Sequence, residues 1–199
     1  MRSTFASVKT SHGVAALREL ATEDLPAIVE YWFSSSDEFL AGMGADRRRL
    51  GSREEIHQRF AKAIRAGDAD RPNIGLGITL DEQLAGYTLL NRYSDEVNYS
   101  HWHIIVPELR AKGLSTALYP HRIKTYFELA PIGRLIHQTR TTNVGVNRML
   151  DRFVPVAETK YIEKPDGIAA PGEFYLRFVR RDDIPRIFAR ANDDAHRPR

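Results

Sequence analysis

Val106-Pro107-Glu108-Leu109-Arg110-Ala111-Lys112-Gly113-Leu114-Ser115 is the stretch that decides how this chain folds. It separates a strand-like run, 99–106, from a helix-like run that opens at Leu114. The first backbone N–H groups of a helix have no internal partner, and the helix dipole adds partial positive charge there. Such a turn accepts an anion, above all a pyrophosphate. Gly113 permits close backbone approach or a positive φ. Arg110 and Lys112 add formal charge, and Ser115 is small enough to leave room. The alternative is an ordinary strand-to-helix turn with solvated basic residues. No Gly-x-x-x-x-Gly-Lys-Ser/Thr occurs, and no Gly-x-Gly-x-x-Gly opens a helix.

Working outward, residues 14–20 read as a strand. A helix follows from Thr22, a plausible N-cap, with Leu25, Ile28, Val29, Trp32 and Phe33 as its apolar stripe. Ser34-Ser35-Ser36 ends it. A second helix is expected over 52–66, opened by the capping box Ser52/Glu55 and buried through Ile56, Phe60, Ala63 and Ile64. Residues 67–72 form a loop. Strands 73–80 and 83–91 join at Asp81-Glu82 as a hairpin, and 96–106 is the next strand. The helix from Leu114 reaches about Leu129, with a kink or shortening expected at Pro120. A strand at 134–140, a helix at 143–153, and strands at 154–162 and 173–179 complete the order β-α-α-β-β-β-α-β-α-β-β. Interleaving of this kind predicts an α/β sheet covered on both faces. Residues 1–13 are polar, lack an apolar signal-peptide core, and are expected as a flexible arm. Residues 14–180 form one domain, and 181–199 a polar tail with one helical turn near 184–188.

Composition narrows the chemistry. The 199 residues carry a net charge of +3, 42% hydrophobic content and no cysteine. This size supports one domain with a real core. The absence of cysteine excludes disulfides, thiolate metal sites and a cysteine nucleophile. The charge is too modest and too dispersed for a nucleic-acid stripe. Arg47-Arg48-Arg49 reads as a solvated helix face. No run of some 18 apolar residues spans a membrane. A cytoplasmic location suits this composition, and a homodimer is compatible with it.

The 106–115 stretch resembles the coenzyme A signature of the GNAT superfamily, Gln/Arg-x-x-Gly-x-Gly/Ala. Ala111 stands here for a frequent glycine, and Ser115 for Gly or Ala. A second motif, Thr141-Thr142-Asn143-Val144-Gly145-Val146-Asn147-Arg148-Met149-Leu150, resembles the family's next helix start. The resemblance covers roughly 14–179. It implies a mixed central sheet of six to seven strands with helices on both faces, splayed between the fourth and fifth strands. It also implies an acetyl-CoA-dependent N-acetyltransferase acting on a primary amine by direct attack. Coenzyme A would then be held by the main chain of Ile104, Ile105 and Val106, by Arg110, Ala111, Lys112, Gly113, Leu114 and Ser115, and by Asn143, Asn147 and Arg148. Asn143 also reads as a plain helix N-cap. Asp37 and Glu38 fall where the family shapes its acceptor site, although a solvated loop explains them as well.

Amine acetylation needs a base, and histidine titrates in the right range. His101 and His103 share one face of the strand, and because the family's fourth strand carries its frequent general base, the resemblance implies that one of them is the base or orients the acceptor. Two structural histidines are the alternative, and a His-x-His metal pair lacks a completing Cys or carboxylate. Leu150 occupies the position where many family members place a Tyr general acid. Tyr99, Tyr119 and Tyr161 are substitutes that spacing cannot rank. That departure keeps open a domain binding CoA or acyl-CoA as a sensor without catalysis.

Overall fold

A computed structural model describes residues 3–62, 64, 73–92 and 97–195. Its eight-stranded sheet has the order β1-β2-β3-β4-β5-β6-β8-β7. β1 (Thr4–Thr10) and β2 (Gly13–Glu19) form the first edge, followed by β3 (Asn73–Leu80), β4 (Gln83–Arg92) and β5 (Val97–Ile104). β6 (Arg134–Arg140), β8 (Gly172–Arg180) and β7 (Glu158–Ile162) close the other side. Within the stretch expected as an arm, Thr4–Thr10 is instead an edge strand, because β1 pairs with β2 from Thr4↔Arg18 to Thr10↔Gly13. Its exposed side chains alternate with half-buried ones, a pattern too polar to stand out in the sequence.

The Asp81-Glu82 hairpin is present, with φ of 45° and 68° at its two central residues. Those paired positive angles match the right-handed twist of the flanking strands. α1 (Leu25–Ser34) follows a short helical turn at Thr22–Asp24 whose N-cap is Ala21, so Thr22 is not the cap. Asp24 instead accepts from the Ala21 N–H at 2.8 Å and pairs with Arg18. Ser36 then caps α2 (Asp37–Met43), which places Asp37 and Glu38 in a helix rather than a loop. α3 (Arg53–Ala61) opens on the expected Ser52/Glu55 box; the expected extension to 66 lies mostly outside the described residues, as do the loop 67–72 and Glu96.

α4 (Leu114–Leu129) continues for sixteen residues with Pro120 inside it. α5 is Val144–Asp151. The tail is more ordered than expected, since α6 spans Ile184–Ala195 and buries Ile187 against α4 and α5. Helices α1 to α3 cover one face through Tyr87, Leu89 and Ile105, while α4 to α6 cover the other through Leu90, Leu135 and Val179.

One junction matters for function. β5 and β6 are parallel and pair only at Val97↔Arg134, Asn98↔Leu135 and Tyr99↔Ile136. Beyond Tyr99 they separate, and the sheet opens as a wedge. The other pairings are antiparallel.

Candidate active site

The wedge is the mouth of a cleft of about 1600 Å³ that passes through the sheet. At one end lies the turn quoted above. Gly113 is the N-cap of α4 at φ 79°, and Ala111 is also left-handed at φ 59°. Two such residues around Lys112 turn successive N–H groups toward one side, a concavity suited to an anion. Lys112 N–H donates to Leu109 C=O at 3.4 Å and the helix ladder starts with Ala117 N–H donating to Gly113 C=O, so the amides from Gly113 to Thr116 are the available ones. A side chain added at Gly113 would meet open space. Lys112 is exposed there, Ser115 half-buried, and Leu114 points into the core.

Arg110 does not join this cradle. Its Nε and Nη2 donate to the carbonyls of Ile104 and Ile105 at 3.2 and 3.4 Å. Its guanidinium lies 4.2 Å from the Phe39 ring centre. The N–H groups of Ile105 and Val106 both donate to Ala85 C=O, which bulges the strand end. That leaves Ile104, with alternate Trp102, presenting main-chain groups toward the side from which β6 departs.

On the face covered by α1 and α2, His101 and His103 line the wedge. His103 Nδ1 is 3.0 Å from the Tyr31 hydroxyl, which also approaches Met43 Sδ at 3.2 Å. His103 stacks on Tyr87 with ring centres 5.1 Å apart and meets the edge of Trp32 at 4.9 Å. Burial holds its pKa well below the ordinary histidine value, with His101 and Arg110 adding to the effect. His101 is pushed down to about 4, chiefly by burial, and its Nε2 is buried without a partner. Both rings are therefore neutral at pH 7. Tyr31 was absent from the sequence reading; its only signal was a position one residue from the apolar stripe of α1.

The sequence matches no protein-family model and no curated protein. Solved structures do match. RimJ of Mycobacterium smegmatis, in complex with CoA-disulfide, superposes with a TM-score of 0.76 at 14% identity, over 98% of this chain and 95% of that one. RimL, a ribosomal L7/L12 alpha-N-protein acetyltransferase in complex with coenzyme A, gives 0.70 at 13%, over 91% and 99%. A GNAT-family acetyltransferase from Bacillus anthracis gives 0.66 at 13%, over 90% and 99%. The fold is that of the GNAT acetyltransferases.

Within the GNAT fold the strands expected to splay, fourth and fifth from residue 14, are β5 and β6, renumbered by the extra strand at the N-terminus. Asn143 caps α5, accepting from Val146 N–H at 3.4 Å, and lines the cleft beside exposed Arg148. Asn147 does not reach the cleft. It is buried, and its side chain bonds Arg140 C=O, Thr141 C=O, Thr139 and Arg177. Asp37 and Glu38 are exposed on the outer side of α2, where Asp37 pairs with Arg47; Phe39 is the residue of that trio that lines the cleft. Leu150 is wholly buried in the core. Of the substitute tyrosines, Tyr161 is 66% exposed away from the cleft and Tyr119 is buried against His137. Tyr99 lines the wedge beside His101, with burial raising its pKa to about 12. Among the described residues no cluster of His, Asp and Glu could hold a metal, and no helix is long and apolar enough to cross a membrane.

Proposed function

We propose that the protein is an acetyl-CoA-dependent N-acetyltransferase that transfers the acetyl group to a primary amine, a small-molecule or amino-acid-like acceptor, by direct attack. The observation that carries this reading is the wedge itself. It joins a phosphate-accepting turn at Ala111–Gly113 to a pair of neutral histidines through one cleft. The solved structures of this fold that hold CoA support it.

In this reading the α4 N-terminus and Lys112 hold the pyrophosphate, and Asn143 with the Trp102 and Ile104 main chain lines the arm. Tyr31 sets the tautomer of His103. With the Tyr31 oxygen accepting from His103 Nδ1–H, Nε2 keeps the free lone pair. The acceptor reacts as its free amine. Its nitrogen lone pair attacks the thioester carbonyl carbon and the C–N bond forms; His103 Nε2 takes the proton that the nitrogen then sheds, the C–S bond breaks, and the thiolate leaves to be protonated by the His103 imidazolium, water or Tyr99. Donors facing the wedge from β5 stabilise the negative charge that builds on the carbonyl oxygen.

Burial of Leu150 favours a second reading, a CoA-binding domain without turnover. Calorimetric titration of acetyl-CoA into the wild type and a Gly113→Trp variant tests the shared premise. Binding lost in the folded variant is expected. No binding by the wild type overturns both readings. His103→Gln then separates them: unchanged acetyl-CoA affinity with lost turnover is the transferase result.

A further inference from the structure

The acceptor half of the wedge is built for more than an amine. Arg110 and Arg140 line it, and Asp166 is the one carboxylate on its described walls. Asp37 and Glu38 lie outside it. An acceptor carrying positive charge alone would enter against that field, whereas a molecule that pairs its amine with a carboxylate would not.

Both cations are fixed in place. Arg110 is tied by two bonds to the carbonyls of Ile104 and Ile105 and backed by the Phe39 ring, which leaves its Nη1 unused. Arg140, at the end of β6, threads between Gly44, which ends α2, and Gly172, which starts β8. A side chain at either glycine would collide with it. One of its terminal nitrogens donates to Pro171 C=O at 2.6 Å, its guanidinium lies 5.3 Å from the Phe174 ring centre, and its Nε is buried without a partner. Arg140 packs on Gly44 at the end of the helix that carries Met43. Gly44 follows Met43, whose Sδ touches the Tyr31 hydroxyl that holds His103.

Resting on the transferase reading above, we infer that the acceptor is a free α-amino acid, its carboxylate held by Arg140 and Arg110 while its amine faces His103. One charge-assisted N–H from each guanidinium suits the two oxygens of a carboxylate. The surrounding Trp32, Phe39, Met43 and Phe174 suit an apolar or aromatic side chain. A peptide N-terminus or a lysine side chain brings an amine without the adjoining carboxylate, and leaves both arginines unpaired.

The test measures thiol release at saturating acetyl-CoA with matched acceptors: phenylalanine and leucine, their carboxamides, and phenethylamine and isoamylamine. Compared per free amine, the acids are expected to exceed their amides and amines in kcat/KM by roughly 20-fold or more, the penalty for leaving a desolvated charge unpaired. Arg140→Gln should bring that ratio toward one through KM, with acetyl-CoA affinity unchanged. The wild-type ratio stands even if the variant fails to fold. Amides or amines turned over as well as the acids overturn the inference and leave the transferase reading intact, as does preference for a peptide N-terminus. A wild type that binds no acetyl-CoA removes the transferase reading first.

Discussion

His103 is neutral because its surroundings refuse the charge. Tyr87 stacks on it, Trp32 meets it edge-on, and Arg110 repels a proton from nearby. A base whose pKa lies below the ordinary 6.5 is already free to accept a proton throughout pH 6 to 9. The ascending limb of kcat/KM should therefore report the acceptor ammonium, rising about tenfold per pH unit toward that group's pKa, with no break near 6.5. A break at 6.5 would show His103 titrating as an ordinary histidine and would remove it as the buried base. Replacing it by Gln should cost roughly 100-fold in kcat. Tyr31→Phe frees the tautomer without emptying the pocket, and a loss of about tenfold in kcat is expected, read by the same assay. Ala111 offers a stability test at the same scale. A β-carbon at φ 59° is strained, so Ala111→Gly should raise stability by about 0.5 kcal/mol in urea unfolding and leave acetyl-CoA affinity unchanged.

The placement of α5 depends on residues that never touch the cleft. Arg177 on β8 is fully buried and donates to Asn147 at 3.1 Å and to Asp151 at 2.6 Å, both on α5. Asn147 in turn caps the carbonyls that end β6. Asn147→Leu removes one acceptor from the buried Arg177 guanidinium and leaves two carbonyls unpaired, so a loss of about 3 kcal/mol is expected in urea unfolding. Arg148→Ala, on the exposed side of the same helix, should cost little stability and weaken CoA binding instead. Equal stability in the two variants would mean that Asn147 does not hold the helix. The contrast shows what sequence could reveal. The 106–115 turn was legible because glycine, charge and the strand-to-helix boundary are local. Asn147 and Arg110 looked like ligands because their type and spacing match the family pattern; partners from β8 and from the carbonyls of β5 turned them inward, and no local signal encodes those. Tyr31 and Arg140 were silent for the same reason: one lies on a helix and one at a strand end, and only the sheet's wedge brings them together.

At the scale of the molecule, three histidines are folded in neutral form. His101 is pushed down to about 4 and His103 lies well below 6.5, both first by burial. His137 is also far below, first by burial and then by Arg122, while its ring nitrogens meet Tyr119 OH at 2.9 Å and Ser100 C=O at 3.3 Å. Arg122 itself is buried over the Trp102 ring at 3.9 Å, and burial lowers its pKa only to about 10, so it remains charged on acidification. An unfolded chain takes up protons at these histidines near 6.5, and the fold refuses them until well below. Between those values the unfolded state binds more protons, so stability is fully present above about pH 6.5 and falls as pH drops toward 4. Each fully neutral histidine contributes a slope of at most about 1.4 kcal/mol per pH unit. Urea midpoints measured from pH 7.5 to 4.5 should decline steeply below 6.5, and His137→Phe should flatten the curve even where it lowers stability at pH 7.5. A midpoint that stays level between 6.5 and 4.5 would mean that the three rings accept protons in place, and that the sheet beneath the wedge is wetter than its packing indicates.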